Sequence, residues 1–300
     1  MAVLPTETVY GLFGRTDDAG ALEQIYALKD RPRDNPLIAH VLDVQMARSL
    51  TSTWPSAADA MCRRFWPGPL TIVVPRAPEV LDRAVAGLST IAIRSPHHPV
   101  VRRVLEAVGH PLSAPSANRS GMVSPTCVEH VACDFAGVPE AADLLVLDGG
   151  PCQTGLESTV IDLTGDLPRL LRAGSISTEA IEEVLLGGVR DDLPTTQGAS
   201  PGTRRRHYAT TTPLRLVDCD DLEDALSGER PICVIGPSWL AVAPPHRHLI
   251  MPDTHQAAAR SLFGLLREAD ATDATQIIVV RPPLDSEWRA IHDRLERAAC

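Results

Sequence analysis

The chain has 300 residues, a formal net charge of −10 and 44% hydrophobic content. This length suits two domains, the composition is that of an ordinary globular protein, and the acidic balance argues against a broad nucleic-acid-binding surface. No stretch approaches the ~18 uninterrupted apolar residues of a membrane span, and Met1-Ala2-Val3-Leu4-Pro5 has neither a basic n-region nor an apolar h-region, so no secretory signal is expected.

In chain order, Ala2–Leu4 reads as the end of a buried strand, and Leu22–Lys29 has helical spacing at Leu22, Ile25, Tyr26 and Lys29. Leu37–Val41 is a short apolar run. Leu70–Val74 and Thr90–Ile93 are β-branched runs bounded by Pro, Gly or Ser and predict strands. Val100–Val108 predicts an amphipathic helix. Leu144–Leu147 and Thr159–Leu163 read as strands, and Glu179–Leu186 as a helix capped by Ser177 or Thr178. These elements predict one α/β domain over residues 1–190. Residues 191–212 are poor in apolar side chains and read as a linker, although Arg204-Arg205-Arg206-His207-Tyr208 is unusual for a passive one. Residues 213–300 alternate strand (Leu214–Val217, Ile232–Ile235, Ile277–Val280) with helix (His255–Ala269 and a stripe at Trp288, Ile291, Leu295 and Ala298). This predicts a small parallel α/β domain without the Gly-rich fingerprint of a dinucleotide site.

Cations gathered beside Gly, Ser and Asn in an acidic chain suggest a local anion site. Lys29 and Arg31 flank Asp30 at a helix end. They either match the helix macrodipole or clamp a phosphate or carboxylate. Pro5–Leu12 is either a turn capped by threonines or a rim segment holding a polar ligand. Strand alternation puts Thr90, Ala92 and Arg94 on one face. Ser113–Gly121 is too broken by proline for a helix and is either an Asx/Ser turn or an anion nest; Ser124-Pro125-Thr126 would cap the next helix. His40, alone, reads as structural. Seven scattered cysteines give neither a disulfide framework nor a zinc site and fit reduced thiols in a cytoplasmic protein. With no Ser-His-Asp order, paired carboxylates or His-Glu-x-x-His motif, the chemistry expected is positioning plus charge stabilisation, as in phosphoryl or nucleotidyl transfer.

Taken in order, PTETVYGL (5–12), KDRPRDNPLIAH (29–40), WPGPLT (66–71), TIAIRSP (90–96), SAPSANRSG (113–121), SPT (124–126), DGG (148–150), GLESTV (155–160), LRAG (171–174) and SPGTRRRHYA (200–209) resemble the YrdC-type threonylcarbamoyl-AMP synthase family in its long two-domain form. The resemblance implies a YrdC-like (DHBP synthase-like) twisted mixed sheet flanked by helices, plus a small Rossmann-like α/β C-terminal domain. It implies a nucleotidyltransferase, L-threonylcarbamoyladenylate synthase, that makes threonylcarbamoyl-AMP and pyrophosphate from L-threonine, bicarbonate and ATP. Mg²⁺ would accompany ATP. The product would pass to separate tRNA threonylcarbamoyl transfer proteins, with no membrane and no stable direct tRNA binding. By similarity the catalytic elements are Lys29, Arg31, Ser116 and Asn118. Threonine would contact Thr8, His40, Arg94 and Ser158. ATP would contact Arg31, Asn35, Thr90, Ser116, Ser124 and Arg172, with His207 and Tyr208 closing over it; no residue is assigned as a metal ligand. The chain departs from the family pattern in beginning almost inside the strand before PTETVYGL, in Phe13 where a turn Gly is expected, and in Thr210 where Pro follows HYA. Two other readings are a carbamoyladenylate-forming carbamoyltransferase module and an RNA-binding YrdC-like protein.

Overall fold

A computed structural model describes residues 1–191, 207–228 and 230–300. The chain divides into two compact units. The larger takes Met1–Ser120, Pro125–Gln153 and the chain from Glu157 on; the smaller takes Gly121–Ser124, Thr154–Leu156 and the C-terminal portion. The expected 1–190 domain is therefore not contiguous, because two of its loops group with the smaller unit. Most of the expected 191–212 linker lies outside the described residues.

Among the described residues, the larger unit builds a mixed nine-stranded sheet from β1 (Ala2–Leu4), β2 (Gly11–Arg15), β3 (Ile38–His40), β4 (Leu70–Pro75), β5 (Thr90–Arg94), β6 (Leu112–Ala114), β7 (Leu145–Val146), β8 (Thr159–Asp162) and β9 (Arg169–Arg172), in the order β7-β1-β2-β6-β3-β5-β4-β8-β9. One face carries the main core, including Leu12, Ile72, Val74, Ile91, Ile93 and Ile161. Against it pack side chains of the helices Ala19–Lys29, Ser56–Phe65 and Thr178–Leu185. On the other face, Phe13, Leu112 and Ala114 pack with Val101 and Leu105 of the helix Pro99–Val108. Beyond them a separate small cluster, Ile38, Val73, Ala92, Val160 and Leu171, lines the middle of the sheet.

The helix Ala19–Lys29 starts on Asp18, whose carboxylate accepts from Ala21 N at 3.0 Å. It ends where Asp30 turns left-handed (φ 51°), with Arg31 N donating to Tyr26 O at 2.9 Å and Asp30 N to Ala27 O at 3.1 Å. This Schellman closure sets consecutive cations on either side of the turn. The helix Thr178–Leu185 is capped by the Ser177 hydroxyl, as one of the two readings had it.

Four strands went unread in the sequence, and each has a local cause. β2 holds Gly11 and Gly14 and reads as a turn. Gly14 lets the helix pack closely, since a Cβ there would lie 3.0 Å from Ile25 Cδ1 and 3.1 Å from Ala21 Cβ. Phe13 is consequently a buried strand residue and not part of a turn. β6 and β9 are only three and four residues long, and the fourth, an edge strand of the smaller unit, is half polar with one buried residue. The helix Val128–Phe135 follows Cys127 with no side-chain cap; Thr126 instead bonds its N–H to His130 Nδ1 at 3.1 Å.

The smaller unit has a four-stranded, wholly parallel sheet of β10 (Leu214–Val217), β11 (Ile232–Gly236), β12 (Arg247–Ile250) and β13 (Gln276–Val280), ordered β10-β13-β11-β12. Val217, Ile232, Val234, Ile278 and Val280 pack with Leu222. The helices His255–Asp270 and Arg289–Ala298 pack on each other and on β11 and β10 respectively.

Ile72 is fully buried in a strand flanked by β5 and β8, so Ile72→Ala should cost about 2–5 kcal/mol in denaturant unfolding. Leu145→Ala, on the edge strand and 56% exposed, should stay within about 0.5 kcal/mol.

Candidate active site

Strand parity determines which side chains share one face of the sheet. Ile38, Val73, Ala92 and Val160 form its apolar floor. Two residues away from each, on the same face, stand His40, Thr71, Thr90 and Arg94, and Ser158. The register joins several of them directly: His40 pairs with Arg94, and Thr71 with Arg94. A row of polar groups therefore crosses one end of β3, β5, β4 and β8.

Arg94 is the centre of that row. Only 3% of it is exposed. Its Nη1 donates to Thr8 Oγ1 at 2.8 Å and its Nε to Gly68 O at 3.3 Å, while Nη2 lies 2.7 Å from Glu7 Oε1. That last contact is an ion pair without hydrogen-bond angles. Burial alone would raise the Glu7 carboxyl, but the charge of Arg94, with a backbone N–H bond from His97, outweighs it and holds Glu7 below the usual carboxylate range. Glu7 Oε2 accepts from His97 N at 3.1 Å. Thr6 closes the segment on itself, accepting from Thr8 N and Val9 N, both at 3.2 Å, and donating to Val9 O at 2.7 Å. The segment is thus the threonine-rich turn of the first reading, placed at the end of the sheet by its contact with Arg94.

His40 Nδ1 lies 3.1 Å from Ile38 O, and its ring meets Phe13 edge-on at 4.9 Å. Burial, with the charge of Arg94 second, pushes the imidazole down to about 3, so it is neutral at physiological pH. Next along the row, Thr71 Oγ1 and Ser158 Oγ are 2.7 Å apart, and Arg172 donates to Ser158 Oγ and Ser158 O, each at 3.0 Å. Gly174 lets this corner close, since a Cβ there would meet Thr159 N at 2.4 Å and Ser158 C at 2.7 Å.

A second group forms around Lys29. Its Nζ, 1% exposed, donates to Ser116 O at 2.7 Å and to Asn118 O; the Ser116 hydroxyl donates to Asn118 Oδ1. Burial, aided by the charge of Arg31, holds the Lys29 amine well below its ordinary range. Arg31 donates to Asn35 O at 3.0 Å and Pro36 O at 2.7 Å. Lys29 therefore pins the Ser113–Gly121 loop from beneath, and Arg31 braces the Asn35-Pro36 turn. Tyr10, its hydroxyl pushed up to about 12 by burial, ties the glycine loop to β2 by donating to Gly150 O at 2.8 Å.

The structure thus joins Thr8, His40, Arg94, Ser158 and Arg172 in one connected row. Lys29, Arg31, Asn35, Ser116 and Asn118 form a second group. Thr90 shares the face of Arg94 four residues earlier, about 13 Å along the strand. Ser124, His207 and Tyr208 belong to the smaller unit. Tyr208 is fully buried there at φ 61°, stacked on Phe263 at 5.3 Å with the Arg294 guanidinium 5.5 Å from its ring. Glu7 and Thr71 were missed as site residues. A carboxylate beside two threonines at a strand end was the available signal for Glu7; Thr71 had none, being one β-branched residue in a strand run.

Residues 1–174 match the family described as telomere recombination (Sua5, YciO, YrdC), and residues 176–300 match the C-terminal domain of threonylcarbamoyl-AMP synthase. This chain belongs to the Sua5/YciO/YrdC family, in its long two-domain form. It is 36% identical to the threonylcarbamoyl-AMP synthase of Pyrococcus abyssi over 316 aligned positions, covering 100% of this chain and 90% of that relative. It is 43% identical to the Bacillus subtilis (strain 168) threonylcarbamoyl-AMP synthase over 223 residues, 73% of this chain and 63% of the relative. The solved structure of Pyrococcus abyssi Sua5 with L-threonine superposes at a TM-score of 0.88 with 34% identity, covering 99% of this chain and 90% of that one. The expected fold, a YrdC-like mixed sheet with a small α/β C-terminal domain, is the observed one.

Two outcomes test the electrostatics of the row. Glu7→Ala strands a buried cation and should cost about 3–5 kcal/mol in denaturant unfolding. For His40, the unfolded imidazole takes a proton near 6.5 and the folded one only near about 3. Its contribution is whole above pH 6.5 and drains away as pH falls toward 3, about 2 kcal/mol of it between pH 7 and pH 5. Unfolding of the intact chain at the two pH values should show this loss, and His40→Gln should abolish it.

Proposed function

We propose that the polar row and the Lys29 group together form the site at which this synthase converts L-threonine, bicarbonate and ATP into threonylcarbamoyl-AMP and pyrophosphate. The observation that carries the reading is Arg94. A guanidinium has five N–H groups, and Thr8 Oγ1 and Gly68 O accept from two of them. Glu7 Oε1 faces Nη2 as well; the second Nη1 and second Nη2 N–H groups remain for a carboxylate, and a neutral imidazole and three hydroxyl-bearing residues, Thr8, Thr71 and Ser158, stand within the same row. These are the groups needed to hold an amino acid by its carboxylate and side-chain hydroxyl.

Threonine's amine, carboxylated by bicarbonate with loss of water, presents a carbamate oxygen to the α-phosphorus of ATP. The P–O bond to that oxygen forms as the bond to pyrophosphate breaks. Both partners are anionic, so repulsion dominates the approach, and Arg31 and Arg172 supply the compensating charge. Lys29 acts by fixing the loop carbonyls and, through them, Ser116 and Asn118. Mg²⁺ would arrive with the triphosphate and neutralise the leaving group. His207 and Tyr208 are assigned to the nucleotide by resemblance alone.

The product would serve transfer proteins that modify tRNA, with no stable tRNA complex of this chain's own. All seven cysteines are free, which supports a reducing, cytoplasmic setting. No helix among the described residues is long and apolar enough to cross a membrane.

Incubation with ATP, bicarbonate and labelled threonine should give threonylcarbamoyl-AMP by mass spectrometry, and omission of any one substrate should abolish it. Product from carbamoyl phosphate in place of threonine plus bicarbonate would instead support the carbamoyltransferase reading. Arg31→Ala should lower threonine-dependent pyrophosphate release about 10²–10³-fold.

A further inference from the structure

The smaller unit contains a cavity of about 760 Å³ that the synthase reading does not use. Its walls come from the segments that follow each strand of the parallel sheet: Asp218 after β10, Pro237 after β11, Met251 to Asp253 after β12, and Arg281 to Leu284 after β13. All four strands run parallel, so the cavity opens at their shared C-terminal end. Open α/β sheets hold small ligands at that end, and the volume falls in the small-molecule range.

The lining decides the ligand class. Trp288 is buried in the lining, while Trp239 at 69% exposure and Leu284 at 86% are its solvent-exposed apolar members. These are large apolar groups held in solvent. A phosphate is poorly served here. Three of the four strand-following segments present proline (Pro237, Pro252, Pro282), which has no N–H to offer an anion. Arg281 is the only cation among the described lining residues, and its Nε lies 3.3 Å from Asp218 Oδ1. With that charge offset, Asp253 leaves the lining net negative. Just outside it, His255 is matched by Glu287 at 3.3 Å.

We propose that this cavity binds a small organic cation, an amine on a flat apolar body, with Trp239 and Leu284 covering the body and Asp253 pairing the charge. This site is independent of the synthase reading. Three probes titrated into the full chain, followed by NMR, test it: phenethylamine, 3-phenylpropionate of similar size and opposite charge, and AMP. Phenethylamine should bind at least tenfold more tightly than 3-phenylpropionate, and AMP should not displace it. Trp239→Ala and Asp253→Asn should each weaken the amine at least fivefold, while melting temperature and threonylcarbamoyl-AMP formation stay at wild-type values. The proposal is overturned if phenethylamine shows no saturable binding, if the carboxylate binds as well as the amine, if AMP displaces the amine, or if both variants bind it as wild type does.

Discussion

The buried pair of Glu7 and Arg94 is the constraint from which the larger unit's polar row takes its form. A guanidinium at 3% exposure is tolerable only with an opposing charge and with acceptors for its N–H groups. Glu7 supplies the charge; Thr8 Oγ1 and Gly68 O supply acceptors. Those partners come from the turn after β1 and the turn before β4, segments distant in sequence. The pair therefore fixes where both turns sit at the sheet end, and its own orientation follows from theirs. A buried pair of this kind is weak evidence for stability in itself. Its value here is placement: it holds a cation beside an apolar floor with N–H groups to spare.

The rest of the row follows from sheet geometry. Because side chains alternate along a strand, a floor of Ile38, Val73, Ala92 and Val160 obliges His40, Thr71, Arg94 and Ser158 to rise from the same face. The Lys29 group obeys a different rule. A Schellman closure with Asp30 in the left-handed region ends the first helix abruptly. Lys29 then points beneath the Ser116–Asn118 loop while Arg31 turns to the Asn35-Pro36 carbonyls. Of the two readings of these cations, the structure describes the helix-end one: the helix end aims Lys29 at the loop carbonyls and Arg31 at the Asn35-Pro36 turn.

Much of this was legible in the sequence. β4 and β5 declared themselves through β-branched runs, the parallel small unit through its alternation, and the family through ordered motifs from residue 5 to 209. What stayed hidden was tertiary in origin. β2 looks like a turn because its glycines make room for a helix whose approach no local pattern reveals. β12, Arg-His-Leu-Ile, is an edge strand with one buried residue and no periodic signal. Glu7 stood in a segment read as a threonine-capped turn or a ligand rim, and nothing in the sequence pairs it with Arg94. Ser124 lay in a string read as part of the larger domain, yet it groups with the smaller unit, because domain membership is a matter of contacts and not of sequence order.

The central proposal is that Arg94 reads the carboxylate of threonine. Calorimetric affinities of wild type and Arg94→Lys for L-threonine and L-threoninamide test it most directly. The account predicts that wild type favours threonine over its amide by tenfold or more, as a charge-assisted hydrogen bond would give, and that the preference collapses in the variant. An undiminished preference in Arg94→Lys would contradict it.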